Sequence, residues 1–221
     1  MKSHPIIFSG EMVQAILDGH KTQTRRIVWP QPILHYRPEL YRVEVDSFGR
    51  AQWRYDDPSQ KNSLAMVCGP DAPSTIKCKK GAVGDRLWVK ETFYYDICPY
   101  AHGRSLKVKP ADFMPEHFYY RADGTEFDQI PECEGRSRWR PSIFMSQWMS
   151  RITLEITAIR IERLHAISDD DCIAEGCMGD EVDGADQPLP IMCYKAIWER
   201  INGPNSWAEN PFVWVISFKK I

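Results

Sequence analysis

A short polar run near the start of the chain carries residue types that chemistry requires. Residues 19–26 read Gly-His-Lys-Thr-Gln-Thr-Arg-Arg, which places Lys21, Thr24 and Arg26 close together. A lysine in a partly buried pocket loses part of its preference for the charged form, because its ammonium is desolvated. It can then take a proton from the Thr24 hydroxyl and make it a nucleophile, or it can bind an anion. The same residue types also suit a solvated basic turn, so the run alone leaves these alternatives open.

The surrounding pattern indicates how the chain positions this run. A helix precedes it, because Ser9 is a suitable cap, Gly19 can end the helix, and the apolar residues between them share one face: Met12, Val13, Ile16 and Leu17. In a helical turn positions 21 and 24 share a face, whereas in a strand positions 24 and 26 do. A turn that continues as extended chain therefore directs Lys21, Thr24 and Arg26 to one place.

Alternation of apolar and polar residues predicts strands over much of the remaining chain. We expect a hairpin at 41–56 around a turn at 47–49, a strand at 86–95 and another at 117–122. The closing segment 212–218 is nearly all apolar, which is typical of an interior strand.

The clearest strand is predicted at 151–164, and its apolar residues change parity within it. Ile152, Leu154 and Ile156 face one way, whereas Ile159 and Ile161 have the opposite parity. A β-bulge near Thr157 or Ala158 would return all five side chains to one core, as happens where barrel strands bend.

Two short helices are predicted after this strand. Ser168 can cap the first, with Asp171 three residues later and Gly176 beyond, and the second is expected at about 192–201. Strands separated by irregular segments, with only short helices, favour an α+β fold with a small β-barrel over a doubly wound sheet.

Composition argues against several classes of function. The net charge is −2, so the chain lacks the global basic field that many nucleic-acid binders carry. The seven cysteines form no Cys-x-x-Cys pair and no segment reaches the length of a membrane span, so we expect a cytoplasmic protein with reduced thiols. Cys98 and His102 have a spacing that a metal can use, but a convincing second pair is missing. We therefore predict neither a metal nor a cofactor.

Two further candidates lie on the predicted strand at 86–95. Glu91 shares the core-side face, where an unpaired carboxylate is costly, so it either lines a pocket opposite Lys21 or Arg26 or, if the alternation breaks, is exposed. Trp88, on the other face, can stack on a base or serve as packing.

A basic cluster that contains an aromatic residue is the candidate nucleic-acid patch; it comprises Arg136, Arg138, Trp139 and Arg140. Backbone binding needs cations, and single strands gain from stacking. A solvated loop explains the same residues equally well.

The order of these motifs resembles that of the ASCH domain, a PUA-like β-barrel family. The helix followed by Gly19, Lys21, Thr24 and Arg26 is similar to the family signature. Residues 84–89 resemble its Gly-Asp strand, 152–164 its long central strand, and 213–218 its final strand. The whole pattern, including residues 202–207, is most similar to the longer ASCH proteins encoded by phages and prophages.

This resemblance covers roughly half of the chain and implies its organisation. The expected fold is an α+β, PUA-like small mixed β-barrel with short flanking helices and long loop insertions. Residues 1–221 would form one domain, with insertions at about 27–80 and 96–150.

The resemblance also implies roles for individual residues. Small bacterial ASCH proteins include amidohydrolases that remove the acyl group from acetylated cytidine, and their catalytic lysine, threonine and glutamate would correspond to Lys21, Thr24 and Glu175. The family's arginine would be Arg26, which would stabilise an oxyanion or hold ribose or phosphate. Without the resemblance, a glutamate such as Glu175 late in a short helix is typically a solvated surface charge. Thr24 would act as the nucleophile or position the attacking water.

Three hypotheses of function follow. The first is amide hydrolysis of an N-acylated cytidine or action on a related nucleoside or single-stranded RNA. The second is a non-catalytic RNA-binding module, in which Lys21, Arg25 and Arg26 contact phosphate, or an RNA-cleaving ASCH protein. The third is a phage accessory protein that works through protein contacts. Under the first hypothesis Arg25 is expected to serve the surface.

Overall fold

The structure is a computed structural model that describes residues 1–31, 41–55, 76–95, 118–124, 139–177 and 190–221. Its strands are β1 Ser3–Ile7, β2 Gln23–Ile27, β3 Tyr41–Val45, β4 Arg50–Tyr55, β5 Ile76–Lys77, β6 Arg86–Lys90, β7 Phe93–Tyr95, β8 Phe118–Tyr120, β9 Thr153–Arg163 and β10 Phe212–Lys220. Its α-helices are α1 Gly10–Leu17, α2 Asp169–Ala174 and α3 Pro190–Asn202. The expected α+β class is confirmed.

Five strands form the main sheet, in the order β1-β6-β9-β10-β2. β1 and β6 are parallel, and the other neighbours are antiparallel. β10 pairs on both sides, as its apolar sequence predicted, and Val213, Val215 and Ile216 are fully buried. Between the described edge strands, β1 and β2, no backbone pairing closes this sheet into a barrel.

The bulge predicted in the long strand is present in β9. Ser217 of β10 pairs with Ala158 and Phe218 pairs with Ile156, so Thr157 has no partner in the register. Ile156 before the bulge and Ile161 after it are both buried in the main core. The extra residue therefore corrects the change of parity, as expected.

The strand predicted at 86–95 is divided into β6 and β7. The chain leaves the main sheet after Lys90, and Thr92 then accepts a hydrogen bond from the Arg121 amide. β7 pairs with β8, which lies within the strand predicted at 117–122. The division occurs at Glu91, whose ion pair is described below.

The hairpin predicted at 41–56 is confirmed as β3 and β4, and β5 extends it to a three-stranded sheet. Asp46 fixes the turn by accepting hydrogen bonds from the amides of Phe48 and Arg50. Parts of both proposed insertions, the Cys98 and His102 pair, and Arg136 and Arg138 of the basic cluster lie outside the described residues.

The helices follow the predicted caps. Ser9 accepts a hydrogen bond from the Met12 amide at the start of α1, and Ser168 accepts one from the Asp171 amide at the start of α2. None of the helices in the described ranges combines the length and the apolar character needed to cross a membrane.

Candidate functional site

The polar run, residues 19–26, connects the end of α1 to β2 and includes most of β2. Backbone hydrogen bonds to α1 and to the end of α2 hold its first residues in place. Gly19 ends α1 with φ +82°, and the amides of His20 and Lys21 both donate to Ala15 O. The Thr22 amide then donates to Ala174 O at the end of α2, and β2 begins at the next residue. These bonds bring Lys21 beside Glu175, the residue that ends α2.

Lys21 and Glu175 form a buried ion pair. Lys21 Nζ donates to Glu175 Oε2 and to the Glu175 backbone oxygen, each at 2.7 Å. The exposed fractions of the two side chains are 0% and 3%. Glu175 is therefore not the solvated helix charge that its position in a short helix suggested.

Burial controls the protonation of Lys21. Loss of hydration lowers the pKa of its ammonium, and the charge of Arg26 acts in the same direction. The Glu175 carboxylate opposes this shift by attraction and by its hydrogen bond, but the net direction is downward. The site thus favours a neutral lysine more than water does.

Thr24 lies on β2 opposite Ile216 and is 3% exposed. Its side chain lines the same pocket as Glu175. In the described part of the chain its hydroxyl makes no hydrogen bond, either to Lys21 or to another group. The structure therefore joins Lys21 to Glu175 directly and leaves the Thr24 hydroxyl available to a ligand or to water.

Arg26 lies on the same pocket wall. One of its terminal nitrogens donates to Ile7 O at 2.9 Å, and its guanidinium carbon lies 5.5 Å from the centre of the Phe8 ring. The Lys21 ammonium lies 5.4 Å from the same ring. Within the described ranges no carboxylate forms an ion pair with Arg26, although the charge of Glu175 attracts it without a direct contact.

Arg25 is buried, and the expectation that it serves the surface is wrong. Its side chain is 0% exposed and donates to Gln23, Glu162, Asp171 and Glu175. Sequence reasoning missed this because three of those acceptors come from β9 and α2, which are distant in the sequence. A phosphate contact by Arg25 would have to displace one of these partners.

The pocket beside these residues has a volume of about 110 Å³. Thr24, Arg26 and Glu175 form one side, and Tyr194 and Trp198 of α3 form another. Burial raises the pKa of the Tyr194 hydroxyl well above its usual range, and the Trp198 indole nitrogen is buried with no hydrogen-bond partner among the described residues. The sequence predicted the helix α3 but not that it lines the pocket. The signal that could have shown this is the helical spacing of the lining residues Tyr194, Ile197, Trp198 and Ile201.

Comparisons of the chain with models of known families, with curated proteins and with solved structures find no match. The interpretation of the pocket therefore depends on its own geometry. In the described part of the chain no group of three histidine, cysteine or acidic residues is arranged to hold a metal ion.

Glu91 has a different partner from those expected. It is 1% exposed and receives hydrogen bonds from Arg151, at 3.0 Å to each carboxylate oxygen. Arg151 also contacts Asp123 and lies 4.0 Å from the Tyr120 ring centre. Glu91 is therefore neither exposed nor paired with Lys21 or Arg26, and burial raises the pKa of its carboxyl despite the pairing.

Trp88 lies apart from the pocket in the main sheet. It is on β6, which β9 and β10 separate from β2. The Lys90 ammonium lies 5.4 Å from the centre of its ring. Trp88 lines a different depression, together with Lys2, Arg86 and Gln147. The structure does not bring it together with Lys21 and Thr24.

Proposed function

We propose that this protein hydrolyses an amide of a modified nucleoside, most concretely N-acetylated cytidine, and that it is an ASCH-type protein. The observation that carries this proposal is the buried Lys21–Glu175 pair, whose glutamate lines the same pocket as Thr24, a residue with no side-chain hydrogen bond among the described residues. Amide hydrolysis requires an activated oxygen, a proton donor for the leaving amine and a group that stabilises the oxyanion. Thr24 and Arg26 line the pocket, and Lys21 lies behind it, bonded to the lining residue Glu175.

In the proposed reaction, the neutral form of Lys21, which its lowered pKa makes more accessible than in water, accepts a proton from the Thr24 hydroxyl or from a water that this hydroxyl positions. The resulting oxygen attacks the acyl carbon, and Arg26 stabilises the negative charge that develops on the carbonyl oxygen. Lys21 then returns the proton to the exocyclic nitrogen of the base as the carbon–nitrogen bond breaks. If Thr24 is the nucleophile, water subsequently hydrolyses the acyl-threonine and releases the carboxylic acid.

The size of the pocket is consistent with a small reacting group. Pockets for drug-sized ligands measure about 300–1,000 Å³, several times the volume here. An acyl group with the adjacent edge of a base fits such a space, while the ribose would remain outside. Tyr194 and Trp198 line the pocket and provide aromatic surface that the base can contact.

The curvature of the main sheet supports a PUA-like barrel as the finer description of the fold. β1 and β2 are at opposite edges in the strand order, yet Arg26 of β2 donates to Ile7 O of β1. The sheet therefore curls until its edges approach each other, as the strands of a small barrel do.

The test is to incubate the purified protein with acetylated cytidine and to follow deacetylation by chromatography. Lys21→Ala and Thr24→Ala should each lower kcat/KM by about 100-fold or more. Thr22→Ala is the matched control, because Thr22 is exposed two residues away, and it should retain activity within about threefold of wild type. Absence of turnover by the wild-type protein, or equal turnover by the three variants, would overturn the proposal.

A second candidate function is binding of RNA without catalysis. The observation that favours it is the charge of Arg26, which has no carboxylate partner in the described ranges. Retention of labelled single-stranded RNA should then weaken with salt and with Arg26→Gln. Salt-independent retention would count against phosphate contacts.

A further inference from the structure

Arg25 occupies a position that neither proposed function requires. It is buried beside the pocket, but its donors point to protein groups instead of open space. Its Nε and one terminal nitrogen both donate to Glu162, and that same terminal nitrogen donates to Asp171 at 2.7 Å. The other terminal nitrogen donates to Gln23 at 2.7 Å and to Glu175 Oε1 at 3.3 Å.

The two oxygens of Glu175 are thus divided between two cations. Oε2 accepts from Lys21, and Oε1 accepts from Arg25. A carboxylate held on both oxygens cannot rotate without breaking one of these bonds. Its orientation toward Lys21 therefore depends on where the guanidinium is fixed.

The guanidinium is in turn fixed by a second layer of charges. Glu162 on β9 and Asp171 on α2 both bind Arg25, and Arg160 binds the same two carboxylates from the solvent side. Arg160 is 44% exposed, whereas Arg25 is fully buried. The cluster contains three cations and three carboxylates and is therefore neutral as a unit, with the Arg26 charge outside it.

From this geometry we propose that Arg25 is a positioning residue for the Lys21–Glu175 pair. It orients the Glu175 carboxylate and compensates the acidic layer behind it, so that Lys21 does not experience three uncompensated carboxylates. A lysine at this position would keep the charge but lose the planar fork that reaches acceptors on both sides. This inference depends on the proposed function for its catalytic consequence, but not for its effect on Lys21.

The charged and titratable groups around Lys21 define the expected direction of change. Glu175 and Cys177 face it from α2 and the residues that follow it, and Arg26 faces it from β2. Tyr194 on α3 interacts with Glu175 and Arg25. If Arg25 loses its charge, the net potential at Lys21 becomes more negative, and the Lys21 pKa must rise.

The experiment is an NMR titration of the Lys21 side chain in full-length protein labelled with ¹³C-lysine, with Lys21→Met used to assign the signal. Arg25→Met should raise the Lys21 pKa by about one unit, whereas Arg25→Lys should leave it nearly unchanged. Glu162→Gln should shift it in the opposite direction, because the guanidinium charge is then less compensated. Arg160→Met is the matched control at the exposed side of the same carboxylates and should give a much smaller shift.

Deacetylation assays on the same variants separate orientation from charge. Arg25→Lys should reduce kcat by about tenfold with little change in KM, and the alkaline shift of the pH–rate profile should appear only in Arg25→Met. An unchanged Lys21 pKa in Arg25→Met and Glu162→Gln, with both variants folded by circular dichroism, would overturn the positioning role. If wild type has no activity but the titration shifts appear, the amidohydrolase proposal fails and the electrostatic action of Arg25 on Lys21 stands.

Discussion

Replacement of Glu175 by glutamine is predicted to produce a large loss of stability that depends on pH. The amide keeps the shape of the side chain and one oxygen for Arg25, but it removes the only carboxylate that pairs with Lys21 in the described structure. The buried Lys21 ammonium then keeps only its hydrogen bond to the backbone oxygen of residue 175. It must either remain charged without a counter-ion or lose its proton.

The deprotonation route sets an upper limit on the cost. An unfolded lysine has a pKa near 10.4, so a neutral lysine at pH 7 costs about 4.6 kcal/mol. Breaking a buried pair by removal of one partner costs about 3–5 kcal/mol in other proteins. We therefore expect Glu175→Gln to lower the free energy of unfolding by about 3–4.6 kcal/mol at pH 7.

The sign of the pH dependence follows from proton counts. On the deprotonation route the folded variant holds Lys21 neutral, whereas the unfolded state binds a proton below pH 10.4. Because the unfolded state binds more protons, stability of the variant rises with pH, by up to about 1.4 kcal/mol per unit. Near pH 9 the upper limit falls to about 2 kcal/mol.

Urea denaturation followed by tryptophan fluorescence at pH 6, 7, 8 and 9 measures this difference. Glu11→Gln is the matched control, since Glu11 also pairs with a cation, Arg200, but the side chains are 68% and 58% exposed. That variant should lose less than about 1 kcal/mol at every pH. A Glu175→Gln loss below about 1 kcal/mol would refute a charged Lys21 held by Glu175, and a loss that does not change with pH would refute deprotonation of Lys21 in the variant.

Two further substitutions test the packing against Lys21 and the separate ion pair of Glu91. Gly176→Ala should lower stability by about 1–3 kcal/mol, because φ is +86° and the added Cβ would lie 2.9 Å from a side chain of α1 and 3.4 Å from the Lys21 Cβ. Gly84→Ala, at φ +85° in open space, isolates the backbone strain, and equal urea midpoints for the two variants would exclude a role for the contact. Glu91→Gln should lower the free energy of unfolding by about 2–4 kcal/mol, because Arg151 loses a carboxylate acceptor. The proposed deacetylation activity per folded molecule should stay unchanged. A selective loss of kcat would show that Glu91 belongs to the site.

The sequence predicted helices and strands well where a helix cap or the alternation of apolar residues is informative. Ser9 and Ser168 form the expected caps, and the change of parity in 151–164 located the bulge of β9. These features depend on residues a few positions apart. The sequence left open a break of the strand at Glu91 with an exposed carboxylate, but not the observed outcome, in which Glu91 stays buried and pairs with Arg151, sixty residues later in the chain.

The same limit applies to the candidate site. Lys21 and Thr24 could be selected from their types and spacing, but the position of Glu175 against Lys21 came only from the family resemblance and is visible as a contact only in the structure. The expectation that Arg25 serves the surface fails because one face of a strand is exposed only where no other element covers it. Here α2 covers that face and supplies Asp171 and Glu175.

The charge balance of the site bears on the choice between catalysis and binding. A phosphate-binding surface benefits from cations without carboxylates beside them, because each carboxylate cancels attraction. Here the Lys21, Arg25 and Arg160 charges are all matched by carboxylates, and in the described ranges only Arg26 on this wall lacks one. Burying Lys21 and Glu175 together costs hydration that phosphate binding does not require. Under the proposed function, this arrangement would move a proton beside one developing negative charge, as amide hydrolysis of a neutral acylated base requires.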